Sequence, residues 1–356
     1  MRHATAPLRV LALVCTTLLF VLPPSAATAS VVAALPRTTT LCATLPGSVP
    51  SVPFAPYVDV TLHPTPDLAT LSCGSGVRTY SFAFITAASS PTSCTPALVG
   101  STYKNSFLHN SIANLEKRHG NVIISFGGAA GQELALTCHS VTQLAQAYQA
   151  VLDYYGAHSA DFDVEGTAVT NTAANARRAQ AIVQLQKTAA ARHTSLSVSF
   201  TLEVEPQGLP SDDVTLLRSA VAAGVSISVI NVMTMDFGDS PAPHPAGKMA
   251  QYAEAAVNAT ATQLHALYPS DSTASLLHRI GVTPMIGQND QADEVFTVAD
   301  ASTLATWAQQ HALGRITMWS LDRDRACPHG VTHVATDTCS GITQSVGAFT
   351  HIFNRA

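Results

Sequence analysis

Ser159-Ala160-Asp161-Phe162-Asp163-Val164-Glu165-Gly166 alternates apolar and acidic side chains from Ala160 to Glu165. A β-strand has a side-chain period of two, so Asp161, Asp163 and Glu165 share one face and Ala160, Phe162 and Val164 the other. The apolar set suits a strand buried behind, and Gly166 permits a sharp exit, which puts the acids at the carboxyl end of the strand. Three carboxyls in one small, partly dry space cannot all stay ionised, so at least one proton is expected there near neutral pH. A protonated carboxyl beside an ionised one is what general acid catalysis requires. A solvated strand edge fits badly, because it has no need of Phe, Val and Ala on the alternate face. A metal site using His158 would need further ligands from elsewhere.

Outward from this stretch, apolar runs that read as strands recur at residues 57–62, 80–86, 122–126, 160–164, 196–202, 227–235, 280–286 and 316–320, eight in all. Helical patterns lie between them. Residues 140–155 place Val141, Leu144, Tyr148, Val151, Leu152 and Tyr155 on one stripe, with Ser140 as the cap. Residues 173–192 repeat the pattern. Ser211 with Asp212 and Asp213 opens a third helix, where acids favour the amino end, and residues 249–267 and 301–311 read as two more. Strands alternating with helices mean parallel strands joined by right-handed crossovers, and eight such units close most simply as a (β/α)8 TIM barrel, an α/β fold with a single catalytic domain. An open doubly wound sheet is the rival, but no G-x-G-x-x-G or phosphate-binding loop follows any strand.

Composition bounds the rest. Hydrophobic residues make up 47% and charged residues 12% of the 356 positions, with a net charge of −5. That excludes a disordered polyelectrolyte and argues against nucleic-acid or membrane-surface binding. Residues 1–29 read as a secretory signal peptide: Arg2 and Arg9 precede an apolar run over residues 10–21 that is too short to span a bilayer, and Ala27-Thr28-Ala29 supplies small residues before a cut. A Pro- and Thr-rich lead-in over residues 30–56 follows, then the catalytic domain over residues 57–356. The mature protein is expected outside the cell, free of membrane, as a monomer. Cys15 lies in the signal, leaving Cys42, Cys73, Cys94, Cys138, Cys327 and Cys339 as an even set, as export favours. Fifteen pairings are open. Proximity joins Cys327 to Cys339, with Cys94–Cys138 and Cys42–Cys73 as the working assignment of the others.

Chemistry in such a barrel gathers at the carboxyl ends of the strands. Unusual residues fall there repeatedly: Ser125-Phe126-Gly127-Gly128 after the third strand, the acids on the fourth, Met233, Met235 and Asp236 on the sixth, Gln288 and Asn289 after the seventh, Trp319 on the eighth. Gly127 and Gly128 either make a tight strand exit or admit a ligand close to the backbone. Met233 and Met235 read as walls of the cleft. Asp236 needs a partner for its carboxylate. Trp319 reads as a flat floor for a sugar ring. Gln288 and Asn289 either reach a ligand or only form a turn.

These residues resemble glycoside hydrolase family 18, the chitinases and their relatives. Asp161-Phe162-Asp163-Val164-Glu165 is similar to the end of the D-x-x-D-x-D-x-E signature, Ser125 to Gly128 to its S-x-G-G motif, Met233 to Asp236 to its M-x-Y-D segment, and Trp319 to its eighth-strand tryptophan, in the family's order. The resemblance implies retaining hydrolysis of β-1,4 bonds next to N-acetylglucosamine, with the substrate's own acetamido oxygen attacking the anomeric carbon. Glu165 would be the acid and then the base, Asp163 would orient the acetamido group and stabilise the oxazolinium, and Asp161 would support Asp163 from below. Asp236 would hydrogen-bond near the acetamido group or Glu165, Trp319 would lie under the sugar, and no metal or organic cofactor is required. Chitin or N-acetylglucosamine oligosaccharides would be the partners. Two departures stand out. His158 falls where the signature begins with Asp, and a protonated histidine there would hold Asp161 ionised; Met235 falls where the family has Tyr. A non-hydrolytic chitin-binding lectin on the same fold is therefore the alternative, and an endo-β-N-acetylglucosaminidase acting on glycoprotein glycans is a variant of the enzyme.

Overall fold

The computed structural model describes residues 42–88, 93–98 and 101–356. The signal peptide expected over residues 1–29, and the lead-in up to residue 41, lie outside the described residues.

Eight parallel strands form the core: β1 (Tyr57–Asp59), β2 (Thr79–Ala87), β3 (Asn121–Gly127), β4 (Ser159–Asp163), β5 (Ser197–Glu203), β6 (Val229–Met233), β7 (Ile280–Thr283) and β8 (Arg315–Ile316). Each pairs with the next, in sequence order. The ring closes where the chain just before β1 meets β8. Phe54 bridges Ile316 in parallel, Ile316 N donates to Pro53 O (2.8 Å), and Ala55 N and Tyr57 N donate to Ile316 O and Met318 O (3.0 and 3.1 Å). A sheet closed in this way has no exposed edge.

One principal helix follows each strand: α1 (Leu68–Ser75), α2 (Ser106–Glu116), α3 (Val141–Tyr155), α4 (Thr172–Ala191), α5 (Ser211–Ala222), α6 (Met249–Leu264), α7 (Val298–Gln310) and α8 (Ala348–Phe353). Ser140 caps α3 by accepting from Gln143 N, and Asp212 and Asp213 occupy the first turn of α5, as the local signals require. The helices α1, α2 and α8 escape the periodicity reading. They are shorter than most of the others, and α1 carries Ser, Cys and Gly in its second turn, so an apolar stripe has little room to repeat.

The outward residues of β4 dictate how the wall packs. Phe162 is fully buried and stacks on Phe126 (5.6 Å), with Tyr148 of α3 meeting it edge-on (5.1 Å) and Phe200 beside it (5.8 Å). This apolar layer between sheet and helices pins the register of β4, and a slip of one residue would exchange its acid and aromatic faces. Three disulfides, Cys42–Cys73, Cys94–Cys138 and Cys327–Cys339, realise the working assignment.

Candidate active site

The inward residues of the strands build a polar column. At its base Asp161, 1% exposed, accepts hydrogen bonds from four hydroxyls on three strands. Ser199 Oγ reaches Oδ1 (2.6 Å), Ser125 Oγ and Tyr57 Oη reach Oδ2 (2.7 and 3.0 Å), and Thr201 Oγ1 lies 2.9 and 3.0 Å from the two oxygens. The buried Arg315 guanidinium donates to Ser199 Oγ (3.2 Å) and brings positive charge beneath Asp161. Asn231 extends the network through Thr201 and Thr283 (3.1 and 2.6 Å).

His158 takes no part in this. It is exposed at the amino end of β4 and lines a surface hollow with Asp153 and Arg192. The expectation that a histidine there would hold Asp161 ionised is corrected: even-numbered positions of β4 point away from the barrel interior, and hydroxyls together with Arg315 surround Asp161 instead.

One level up, Asp163 is 3% exposed and its Oδ1 has no hydrogen-bond partner among the described residues. Burial pushes its carboxyl well above the usual range, and Glu165, Asp161 and Glu203 push it further. Glu165 stands at the top, where Val164 N still donates to Thr201 O (3.1 Å) and Gly166 turns away at φ 53°. Burial first, then the Glu203 charge, pushes the Glu165 carboxyl up to about 7. Alternation along one strand thus yields a column of three carboxyls, with Glu165 at its top able to hold a proton near neutrality.

A cavity of ≈ 300 Å³ opens above the column, lined among others by Asp163, Glu165, Met233, Met235, Asp236 and Trp319. Trp319 stacks on Phe84 (5.5 Å, 23° between planes), and both are partly exposed. Asp236 accepts from Gln291 N (2.9 Å), and burial raises its carboxyl. Six of the ten site residues read from the sequence therefore meet at one cavity, with Asp161 beneath them.

The other three do not line it. Gln288 is 1% exposed, and its Nε2 lies within hydrogen-bond distance of the Asn289, Gln291, Ala292 and Glu294 carbonyls. Its expected substrate contact is corrected to bracing the hairpin that carries Asp290, because its amide is spent on that turn. Gly127 and Gly128 serve the tight strand exit rather than ligand access. A Cβ on Gly127 would lie 1.9 Å from Asp163 O, one on Gly128 2.8 Å from the Phe84 ring, and Gly128 N donates to Asp163 O (3.0 Å). Residues that sequence reading missed also line the cavity: Tyr57, Phe84, Thr201, Asp290 and Asp337. A second cavity adds Glu203. Glu203 carried a usable signal, an acid closing an apolar strand as Glu165 does. Asp290 and Asp337 sit in loops with no local pattern.

An eight-stranded α/β barrel with carboxyls and stacked aromatics converging at the carboxyl ends of its strands is the framework of a carbohydrate-active enzyme class. No family model matches the chain. It is 35% identical over 280 residues to the "Probable bifunctional chitinase/lysozyme" of Escherichia coli K12, a match covering 76% of this chain and 31% of that protein. With "Endochitinase 11" of Metarhizium anisopliae it shares 34% identity over 278 residues, 76% of this chain and 52% of that one. The chain thus spans about a third and about half the length of these curated relatives. The catalytic domain of the hyperthermophilic chitinase from Pyrococcus furiosus superimposes with a TM-score of 0.75 at 32% identity, over 87% of this chain and 96% of that one. Catalytic-site mutants of that chitinase have been solved with chito-oligosaccharides. The chain belongs to glycoside hydrolase family 18.

Proposed function

We propose that the protein is a secreted chitinase-like hydrolase that cleaves β-1,4 bonds next to N-acetylglucosamine with retention of configuration. The observation that carries this reading is the pairing of Glu165, raised to about 7, with the buried, unpartnered Oδ1 of Asp163 over the Trp319–Phe84 floor. Glu165 protonates the leaving oxygen and later, as the carboxylate, takes a proton from water. Asp163 accepts the acetamido N–H, which aims the acetamido oxygen at the anomeric carbon, and the positive charge of the oxazolinium that forms favours the ionised Asp163 against the burial that otherwise holds it neutral. Asp161, held by its hydroxyls and Arg315, supports Asp163 from below. Asp236 and Met235 border the acetamido end, and Trp319 lies under the sugar ring. Three disulfides fit an exported protein. Among the described residues no helix is long and apolar enough to cross a membrane.

A second reading rests on Met235, a thioether where the family pattern has a phenol. The Tyr57 hydroxyl does not substitute for it, being committed to Asp161 and Thr201 (3.0 and 2.8 Å). Loss of such a donor costs roughly 10²-fold in rate, enough to turn a slow enzyme into a sugar-binding lectin.

Hydrolysis of chitin oligosaccharides between about pH 4 and 9, with Glu165→Gln alongside and product anomers resolved by NMR, decides between them. Release of the β-anomer by the wild type alone supports the enzyme. Oligosaccharide binding without cleavage by either protein supports the lectin.

A further inference from the structure

Glu203 closes β5 and has no part in the proposed reaction. Ser199, Thr201 and Glu203 share one face of that strand, and the first two turn into the barrel onto Asp161. Asp163 pairs with Thr201 in register, and the ladder continues through Val164 N to Thr201 O. Two residues farther along, Glu165 lies just past the end of β4 and Glu203 closes β5 beside it, on neighbouring chain segments whose strands lie about 4.8 Å apart. Both line a cavity of ≈ 380 Å³ that adjoins the one over Trp319 and shares Glu165, Met233, Met235 and Asp236 with it.

The groups facing Glu165 are of one sign. Asp163 comes from its own strand, Glu205 from beyond β5 and Asp236 from the end of β6, while Asp290, Asp337 and the Tyr57 phenol border the adjoining cavity. Asp213, in the first turn of α5, carries a carboxyl pushed up to about 7 by burial first and by Glu203 second. No Lys, Arg or His lines either cavity among the described residues.

We propose that Glu203 is a positioning residue for the proton on Glu165: its carboxylate, at the exposed end of the neighbouring strand, repels a second negative charge and keeps the general acid loaded between turnovers. The proposal rests on Glu165 being the general acid. Burial alone favours the protonated form, and Glu203 adds to it in a way that depends on charge rather than on shape.

The test is Glu203→Gln, with the Glu165 carboxyl followed by ¹³C NMR titration and kcat/KM for chitin oligosaccharides followed against pH. Removing the negative charge should lower the Glu165 midpoint by about half a pH unit or more and move the alkaline limb of kcat/KM down with it. Glu203→Asp, which keeps the charge, should leave both near wild type and serves as the second variant if the glutamine form does not fold. An unchanged Glu165 midpoint in folded Glu203→Gln, or a midpoint for Glu203→Asp displaced as far as for Glu203→Gln, overturns the proposal. So does an equal fall in kcat/KM at every pH with the limb in place. If the wild type turns nothing over, the hydrolase reading fails, yet the NMR midpoints still decide whether Glu203 holds the proton.

Discussion

Ionising Glu165 costs the fold stability. An unfolded glutamate titrates near about 4.3, whereas in the barrel burial and then Glu203 push the group up to about 7. The native protein therefore binds this proton more tightly than the unfolded chain does. The resulting stability is fully present below about pH 4 and is lost as pH rises through about 7. Glu165→Gln removes the charge and keeps the shape, so it should melt about 2 °C or more above wild type at pH 8 and together with it at pH 4. Coincident melting curves at both pH values would show that the carboxylate is not strained by burial. Ser199 offers a second test below the cavity. It donates to Asp161 and accepts from Arg315, so Ser199→Ala should destabilise by about 1–3 kcal/mol in urea unfolding. An unaltered midpoint would remove Asp161's network from the account of the site.

At the scale of elements, the exit from β3 is set by its contact with β4. Gly127 has φ 112° and no room for a Cβ, since Asp163 O would lie 1.9 Å away. Gly127→Ala strains the backbone and displaces the strand that carries the acids, with an expected loss of about 3 kcal/mol or more and a matching drop in turnover. Wild-type melting and activity would mean that β3 can move away from β4 without consequence. The segment just beyond is braced by Glu133, which accepts from Arg178 Nη2 (2.9 Å), Tyr148 Oη (3.0 Å) and Ala135 N (2.9 Å). With both partners nearly excluded from water, Glu133→Ala leaves Arg178 buried without its counter-charge. Denaturant unfolding should report a loss of about 3–5 kcal/mol. A loss below about 1 kcal/mol would mean that water reaches the guanidinium. The two glycines were legible as a strand exit or a place for a ligand, and only the contact with Asp163 and Phe84 separates the two. The ion pair was not, because 45 residues separate its members.

For the molecule as a whole, the disulfides separate stability from function. Cys42–Cys73 and Cys327–Cys339 close segments of 31 and 12 residues. By loop entropy their removal costs about 4 and about 3 kcal/mol. Asp337 lies within the shorter loop and lines the cavity over Trp319. Replacing Cys327 and Cys339 by Ser should therefore raise KM for chitin oligosaccharides as well as lower the melting temperature. Replacing Cys42 and Cys73, which line neither cavity, should lower the melting temperature alone. Equal KM values in the two double variants would show that the loop does not shape the site.

Sequence alone determined the barrel and the column of acids. Both follow from short-range periodicity: alternation by two places Asp161, Asp163 and Glu165 on one face, and eight strand-helix units leave few ways to close. Trp319 and Asp236 were legible because a bulky or charged side chain at the end of an apolar strand needs a special surrounding. Tertiary structure alone decided what completes the site. Tyr57, Ser199 and Arg315 are separated from Asp161 by 104, 38 and 154 positions, and only closure of the ring brings their polar atoms around one carboxylate. It also decided against Gln288, whose amide is taken up by the carbonyls of its own hairpin, a competition that no local pattern of residues encodes. The outward direction of His158 follows already from the alternation that turns Asp161 inward, whereas the hydroxyls and the guanidinium around Asp161 depend on closure of the ring.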